Sequence, residues 1–471
     1  MTVEEQTLTL QSGGKRVSFT LTGTSLVVKH VDSGKGSLDV LHRQVIRASF
    51  TDGRVQVYYV ARKKAKELLS LVKIEGSPIS TEEHATETWV DAVNDAAYAG
   101  LKQNKRLKVL VNPYSGHGKA VSIYAKKVEP VFTAAGCTLD VIETTHVNHA
   151  LEIARDLSLH YDAVVPMSGD GTIHEIINGF AQHKEPMKAF ATPIAPIPTG
   201  SGNGLALNVL GLQDAADVVS AALNVLKGRP MSADLFSVTQ KEKRTFSFMS
   251  QALGLMADLD VGTDNLRWMG PIRFTVGFLR VVQMRPCPIE LSIKVAEDDK
   301  MKMAKALQSR HERSLEAEQE IPKPDNPSTS LPALKYTAQD TDGWITFDKP
   351  LLWVYAGKGP YVARDVMAFP VSLPNDGFID LVAQEIAPRT EVVTAMGEAA
   401  TGQAYWMKTA HYYKAHAYRV KPLSKKGHFA VDGEAFPFEE FQVEVHQSLA
   451  TLLSPYGYYA AEFALPRKSV D

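Results

Sequence analysis

From residue 8 to about 59, apolar and polar positions alternate in short runs, as in Val17-Ser18-Phe19-Thr20-Leu21 and Val55-Gln56-Val57-Tyr58-Tyr59, separated by Gly13-Gly14, Ser33-Gly34 and Asp52-Gly53. A two-residue period broken by turn residues predicts a small antiparallel β-unit. The basic run Arg62-Lys63-Lys64-Ala65-Lys66 comes next, with Leu68, Leu69 and Val72 at helical spacing. Residues 80–101 open on Ser80-Thr81-Glu82-Glu83, a capping pattern, and predict a helix.

From Arg106 to about Gly228 the texture changes to apolar strands alternating with longer helical segments. Strands are predicted at 107–111, 139–143, 162–167 and 194–197, and helices at 120–135, 148–159, 173–180, 201–210 and 214–227. Such alternation means a mostly parallel sheet covered on both faces, with ligands at the C-terminal ends of its strands. After Pro230 the pattern is β-rich, with runs at 233–238, 245–253, 289–295, 344–347, 351–355 and 378–382 and more up to Val445. Helical insertions interrupt it near 271–283 and 391–407. Mixed charge with Pro322, Pro324, Pro327 and Pro332 marks 298–332 as a mobile insertion.

The fold expected is therefore an α/β Rossmann-like nucleotide-binding domain and a β-sandwich-rich domain, preceded by a small N-terminal β-unit. The divisions fall at 1–102, 103–229 and 230–471. A chain of 471 residues exceeds what one core usually fills.

Composition narrows the function classes. A formal net charge of −2 gives no global attraction to nucleic acid. The two cysteines, Cys137 and Cys287, have no metal-type spacing and fit a reducing compartment. The first ten residues carry Glu4 and Glu5 without a signal-peptide pattern, and no window reaches the ~18 apolar residues that span a bilayer. The expectation is a cytoplasmic protein, which would have to reach any lipid from the water side.

Three glycine-rich elements each follow a predicted strand: Asn112-Pro113-Tyr114-Ser115-Gly116-His117-Gly118-Lys119, Ser168-Gly169-Asp170-Gly171-Thr172 and Thr199-Gly200-Ser201-Gly202-Asn203-Gly204. Backbone N–H groups exposed at successive strand ends would line one phosphate-binding crevice. None is a Gly-x-x-x-x-Gly-Lys-Ser/Thr loop or a Gly-x-Gly-x-x-Gly fingerprint, so a nucleotide site of another kind is implied.

With these residues in place the chain resembles the diacylglycerol-kinase-like lipid kinases, and within them the sphingosine (long-chain-base) kinases, from Leu107 to about Leu453. The resemblance implies a Rossmann-like half for ATP, a β-sandwich half for the lipid, and a cleft between them. It implies Mg²⁺ as cofactor and a sphingoid base and a membrane surface as partners, and leaves a homodimer open. Asn112, Ser115, Gly116, His117, Gly118 and Lys119 resemble the first nucleotide-binding element and Thr144 a further contact. Ser168, Gly169, Gly171 and Glu175 resemble the second and Gly200, Ser201, Gly202 and Asn203 the third. Asp170 takes the position of the general base.

Leu253-Gly254-Leu255-Met256-Ala257-Asp258-Leu259-Asp260, with Arg267 and Arg273, is similar to the element distinctive of sphingosine kinases. There Asp260 would meet the amine of the substrate and the arginines the ATP phosphates. Asp432, Gly433 and Glu434, in Phe429-Ala430-Val431-Asp432-Gly433-Glu434, resemble the turn near nucleotide and magnesium. The first loop departs from the Arg-Gly-Gly-Lys-Gly usual in the family, and Val147 stands where an arginine often contacts the nucleotide. A carboxylate at the end of an apolar strand is costly to bury unless a cation pairs with it, which favours an amine-bearing lipid at Asp260 over ceramide or diacylglycerol. The N-terminal β-unit is expected to be pleckstrin-homology-like.

Overall fold

The computed structural model describes residues 5–33, 36–64, 67–79, 82–260, 285–316, 330–337 and 339–465. Seven antiparallel strands open the chain: β1 (Gln6–Ser12), β2 (Lys15–Leu21), β3 (Ser25–His30), β4 (Leu38–Leu41), β5 (Val45–Thr51), β6 (Arg54–Ala61) and β7 (Ser70–Pro78). Their order is β4-β3-β2-β1-β7-β6-β5. Inward-facing Leu8, Leu10, Phe19 and Val57 meet Trp89, Val90 and Val93 of helix α1 (Glu83–Tyr98), so the helix seals one face of the sheet. The helical spacing of Leu68, Leu69 and Val72 misleads here, because 70–78 is strand. β7 pairs with β6 along residues 55–61 and with β1 at Leu10 and Gln11, and this pairing outweighs side-chain spacing.

The N-terminal unit is fused to the domain after it. Its Ile46, Val60 and Leu69 belong to the core of the α/β domain. Arg62 pairs with Asp214 at 2.8 Å, and the Leu69 N–H donates to Asp217 Oδ2 at 2.8 Å. Lys227 Nζ donates to the carbonyls of Ala97, Val45 and His42 and lies 4.4 Å from the centroid of the Tyr98 ring.

Four parallel strands form the next layer: β8 (Arg106–Val111), β9 (Thr138–Glu143), β10 (Ala163–Ser168) and β11 (Ile197–Pro198), in the order β11-β10-β8-β9. Helices α2 (Ala120–Ile123), α3 (Glu129–Ala134), α4 (His149–Arg155), α5 (Asp170–Ala181), α6 (Pro186–Ala191), α7 (Gly204–Asp214) and α8 (Val218–Lys227) surround them. β10 is buried along its whole length and β8 from Leu107 onward, because both of their faces are covered. No single described helix is long and apolar enough to cross a membrane.

The remaining strands are β12 (Arg229–Gln240), β13 (Lys243–Ser247), β14 (Ser250–Gly254), β15 (Ile289–Glu297), β16 (Ile345–Thr346), β17 (Leu351–Gly357), β18 (Tyr361–Ala363), β19 (Val366–Met367), β20 (Ile379–Glu385), β21 (Ala410–Pro422), β22 (Phe429–Val431), β23 (Glu434–Phe436) and β24 (Phe441–Ser454). Most join one antiparallel sheet, β13-β12-β24-β21-β20-β17-β14-β22-β23, with β15 on β21. Helices α9 (Leu255–Asp260), α10 (Lys300–Glu316) and α11 (Arg389–Gly397) lie between strands.

Three details depart from the sequence pattern. The run 245–253 is two strands, since residues 248–249 turn the chain between β13 and β14. The stretch 298–332 contains α10, whose Met303, Ala304 and Leu307 are buried, so its first half is a docked helix. Asp260 closes a short helix and not a strand.

The boundary at 229/230 is also crossed by pairing. β12 runs beside β24 from Arg229 to Thr239, and Leu449, Ala450, Leu452 and Leu453 of β24 enter the α/β core. Ile194 N–H donates to Thr451 O and Leu453 N–H to Ile194 O, so the last long strand stitches the two halves together.

Candidate active site

The three glycine-rich loops meet where β8, β10 and β11 end. A Cβ on Gly200 would overlap the Gly169 backbone, and one on Gly169 would stand 2.6 Å from Gly202 O. Gly116, at φ +57°, is equally tight, because a Cβ there would fall onto Thr199 O. Only glycine allows the loops this approach. Asn112 ties the first loop to the second, donating from Nδ2 to Thr172 Oγ1 at 3.3 Å while its Oδ1 accepts from Tyr114 N–H at 3.0 Å. Asn203 braces the third, accepting from Gly200 N–H and donating to Gly200 O.

Residues 116–119 and 201–202 stand exposed around this junction, with Ser115, Thr144 and Ser168 buried behind them. The Thr199 hydroxyl is buried with no hydrogen-bond partner. A crevice between glycine loops, narrowed to backbone thickness and holding one unsatisfied hydroxyl, fits a phosphate chain. Gly200→Ala is expected to push the loops apart and raise the ATP KM at least tenfold while the protein stays folded. Nucleotide titration beside a thermal melt checks this.

Asp170 begins α5 at the floor of the crevice and is 8% exposed. Its Oδ2 accepts from Gly204 N–H at 2.6 Å and its Oδ1 from Leu205 N–H at 3.1 Å, the first N–H groups of α7. Burial pushes its carboxyl up to about 6 against the pull of those two donors, and the Asp432 charge adds to the rise. A carboxylate poised near neutrality can take a proton from a hydroxyl.

The turn between β22 and β23 faces it. Asp432 adopts φ +50° and spends its carboxylate on local structure: Oδ1 accepts from Ser247 Oγ, Met249 N–H and Ser250 N–H at 2.8, 3.0 and 2.9 Å, and Oδ2 accepts from His174 Nδ1 at 2.8 Å. Glu434 stands closer to the crevice, its Oε1 3.2 Å from where a Cβ on Gly171 would lie. The likeness placed Asp432, Gly433 and Glu434 together beside nucleotide and metal. Asp432 fastens the 247–250 turn, and Glu434 lies beside Gly171 at the crevice.

Glu175 likewise has another task. Both its oxygens accept backbone N–H groups at the start of α4, from Asn148 and Ala150 at 3.0 Å each, so it shapes the 144–148 loop from behind. Arg267 and Arg273 lie outside the described residues, as do the side chain of Asp260 and the helix expected near 271–283.

The sequence predicts a packing or hydrogen-bonding role for His174, and in the structure it hydrogen-bonds Asp432. One turn along α5 from Asp170, it is mostly buried against Asp432, with Phe436 edge-on to the ring. Burial would lower its pKa, but Asp432, Glu434 and Glu175 outweigh that and raise it above the ordinary histidine value. It also starts a relay of contacts. Asp432 holds Met249, a Cβ on Gly204 would press on Met249 Sδ at 2.5 Å, and Gly204 N–H holds Asp170. His174→Ala is expected to lower kcat on the order of tenfold, the worth of a hydrogen bond to a charge, with the ATP KM little changed. Steady-state kinetics with both substrates varied separates the two.

Comparison with known proteins agrees with this geometry. Residues 106–238 match the diacylglycerol kinase catalytic domain. Over 389 residues the chain is 34% identical to "Sphingoid long chain base kinase 4" of Schizosaccharomyces pombe, covering 79% of this chain and 82% of that one. Over 408 residues it is 29% identical to "Sphingosine kinase 1" of Arabidopsis thaliana, covering 80% of each. The crystal structure of a diacylglycerol kinase from Bacillus anthracis str. Sterne superposes with a TM-score of 0.50 at 16% identity, over 75% of this chain and 98% of that one, a likeness of fold. A carboxylate at the base of three glycine loops, on a chain so similar to these relatives along most of its length, makes this protein a lipid kinase that belongs to the sphingoid long-chain base kinase family.

Proposed function

We propose that the chain phosphorylates the primary hydroxyl of a free sphingoid base, such as sphingosine, dihydrosphingosine or phytosphingosine, with ATP as donor and Asp170 as general base. The observation that carries this reading is the placement of the Asp170 carboxylate under the convergence of the three loops. Asp170 takes the hydroxyl proton, the lipid oxygen bonds to the γ-phosphorus, and the bond to the departing ADP oxygen breaks. Phosphoryl transfer asks for positioning and charge neutralisation above all, and the loop N–H groups supply both.

Magnesium is compatible with the residues present. Among the described residues no group of three or more His, Cys, Asp or Glu forms a metal cage, and Mg²⁺ at kinase sites takes one or two carboxylates plus phosphates. Glu434 would hold it, and the ion, when bound, neutralises charge on the phosphate oxygens. Asp260 is assigned to the substrate amine, and Arg267 and Arg273 to the phosphates, on the likeness alone. The N-terminal unit is taken as pleckstrin-homology-like, and the enzyme as a cytoplasmic one that works on membranes peripherally.

The test is labelled phosphate transfer from Mg-ATP to sphingosine, ceramide and diacylglycerol in detergent micelles. Transfer to sphingosine alone supports the reading, and equal or better transfer to ceramide or diacylglycerol sinks it. Asp260→Asn is expected to raise the sphingosine KM at least tenfold and leave the ATP KM near wild type. Unchanged sphingosine kinetics would remove Asp260 from the amine site.

A further inference from the structure

The segment from the end of β21 to the start of β22 lies beside the substrate element. It reads Lys421-Pro422-Leu423-Ser424-Lys425-Lys426-Gly427-His428, with no carboxylate from 421 to 431. Lys421, Lys425 and Lys426 are exposed, and among the described residues none of them makes an ion pair, although Glu290 lies across the ladder from Lys421. Leu423 is 66% exposed, the second most exposed large aliphatic side chain among the described residues after Val147. Three solvated ammonium groups flanking a protruding leucine leave an apolar tip inside a positive rim.

Its position gives this pattern a meaning. His428 Nδ1 lies 2.6 Å from Asp258 Oδ1, two residues before Asp260 on α9. At the other side, Leu423 N–H donates to Pro288 O at 2.8 Å. The loop is thus tied both to the chain that enters the substrate element and to the chain that leaves it. β22 also pairs with β14, the strand that runs directly into α9.

From this the geometry points to a docking surface for an anionic bilayer: Lys421, Lys425 and Lys426 meet lipid headgroups, Leu423 dips between them, and the contact presents α9 to the membrane that supplies the lipid substrate. The occupant is set by charge complementarity, since clustered lysines beside an apolar tip suit a negative leaflet and gain nothing from a neutral one. The inference rests on the lipid-kinase reading for its purpose but not for its test.

The test uses the full chain and vesicles free of sphingoid base, phosphatidylcholine with or without phosphatidylserine, in co-sedimentation. Wild type is expected to bind only the phosphatidylserine vesicles. Each lysine to glutamine change costs roughly fivefold and the triple variant K421Q/K425Q/K426Q on the order of a hundredfold. Leu423→Asp weakens binding with the lysines intact. Turnover of micellar sphingosine stays at the wild-type level in all of these variants, which shows that they fold. Wild-type binding by the triple variant, binding indifferent to phosphatidylserine, or capture of tRNA in place of vesicles would each overturn the docking surface. Absence of micellar turnover in the wild type would overturn the substrate reading and leave the vesicle result standing by itself.

Discussion

Replacing Asp170 by asparagine is expected to lower kcat by ~10²–10⁴-fold while nucleotide affinity stays near wild type. The change removes the proton acceptor and keeps the shape of the side chain. The asparagine carbonyl still accepts one of the two α7 N–H groups, now held by both carboxylate oxygens at 2.6 and 3.1 Å, and the loops above it are untouched. Single-turnover transfer together with a nucleotide titration checks the pair of statements. Near-normal turnover would remove Asp170 from the base position.

The pH dependence carries the same claim with a definite sign. A base works only when ionised, and burial with the Asp432 charge pushes the Asp170 carboxyl up to about 6. Turnover should therefore rise with pH through about 6 and level off above it. In the asparagine variant the residual rate should lose that limb. A wild-type limb near 4, the ordinary range of aspartate, would mean that the carboxylate is solvated in the working enzyme.

The glycine loops were legible because their chemistry is local: a strand end, a tight backbone and a helix start are neighbours in sequence. What was not legible depends on distant partners. Nothing near Glu175 in sequence shows that the backbone N–H groups of Asn148 and Ala150 take its oxygens. The roles of His174 and Asp432 appear only when residues 258 positions apart meet. Leu68, Leu69 and Val72 carried helical spacing, yet β6 and β1 offered the strand Ser70–Pro78 a ladder on both sides. The halves on either side of residue 230 were visible as a change of texture. The return of β24 into the α/β core was not, since an apolar strand looks the same whichever core receives it.

Lys358 shows the same limit most sharply, and Lys358→Met is expected to destabilise the fold by about 3–5 kcal/mol, the cost of breaking a buried ion pair. Nothing in the sequence around it marks it out. In the structure it is almost wholly buried, with Nζ 2.5 Å from Asp376 Oδ1, 3.0 Å from Asp234 Oδ2 and 2.5 Å from Phe378 O. Lys414 completes the group, 2.8 Å from Asp376 and 2.7 Å from Asp380. The network ties β12, β20, β21 and the end of β17 together.

Burial alone would lower the Lys358 pKa, but the Asp376, Asp234 and Asp380 charges outweigh it and raise it above the ordinary lysine value. Burial would raise the Asp376 carboxyl, and Lys358 and Lys414 together hold it below the ordinary range. The lysine's share of the stability is present below its unfolded pKa near 10.5 and is lost as pH rises through the folded one. The Asp376 share is present above about 4 and is lost as pH falls through its folded value. Wild type should therefore hold its stability on a plateau between those limits. The methionine variant should melt earlier across that whole plateau, because methionine fills the space and leaves Asp234 and Asp376 short of a cation.

Asp234→Asn should rescue part of the loss. It removes the carboxylate whose only close ammonium among the described residues is Lys358, so the double variant should be more stable than the sum of the single changes implies. Urea melts of the four proteins at neutral pH measure that coupling. Strict additivity would mean that Lys358 and Asp234 do not act as a pair.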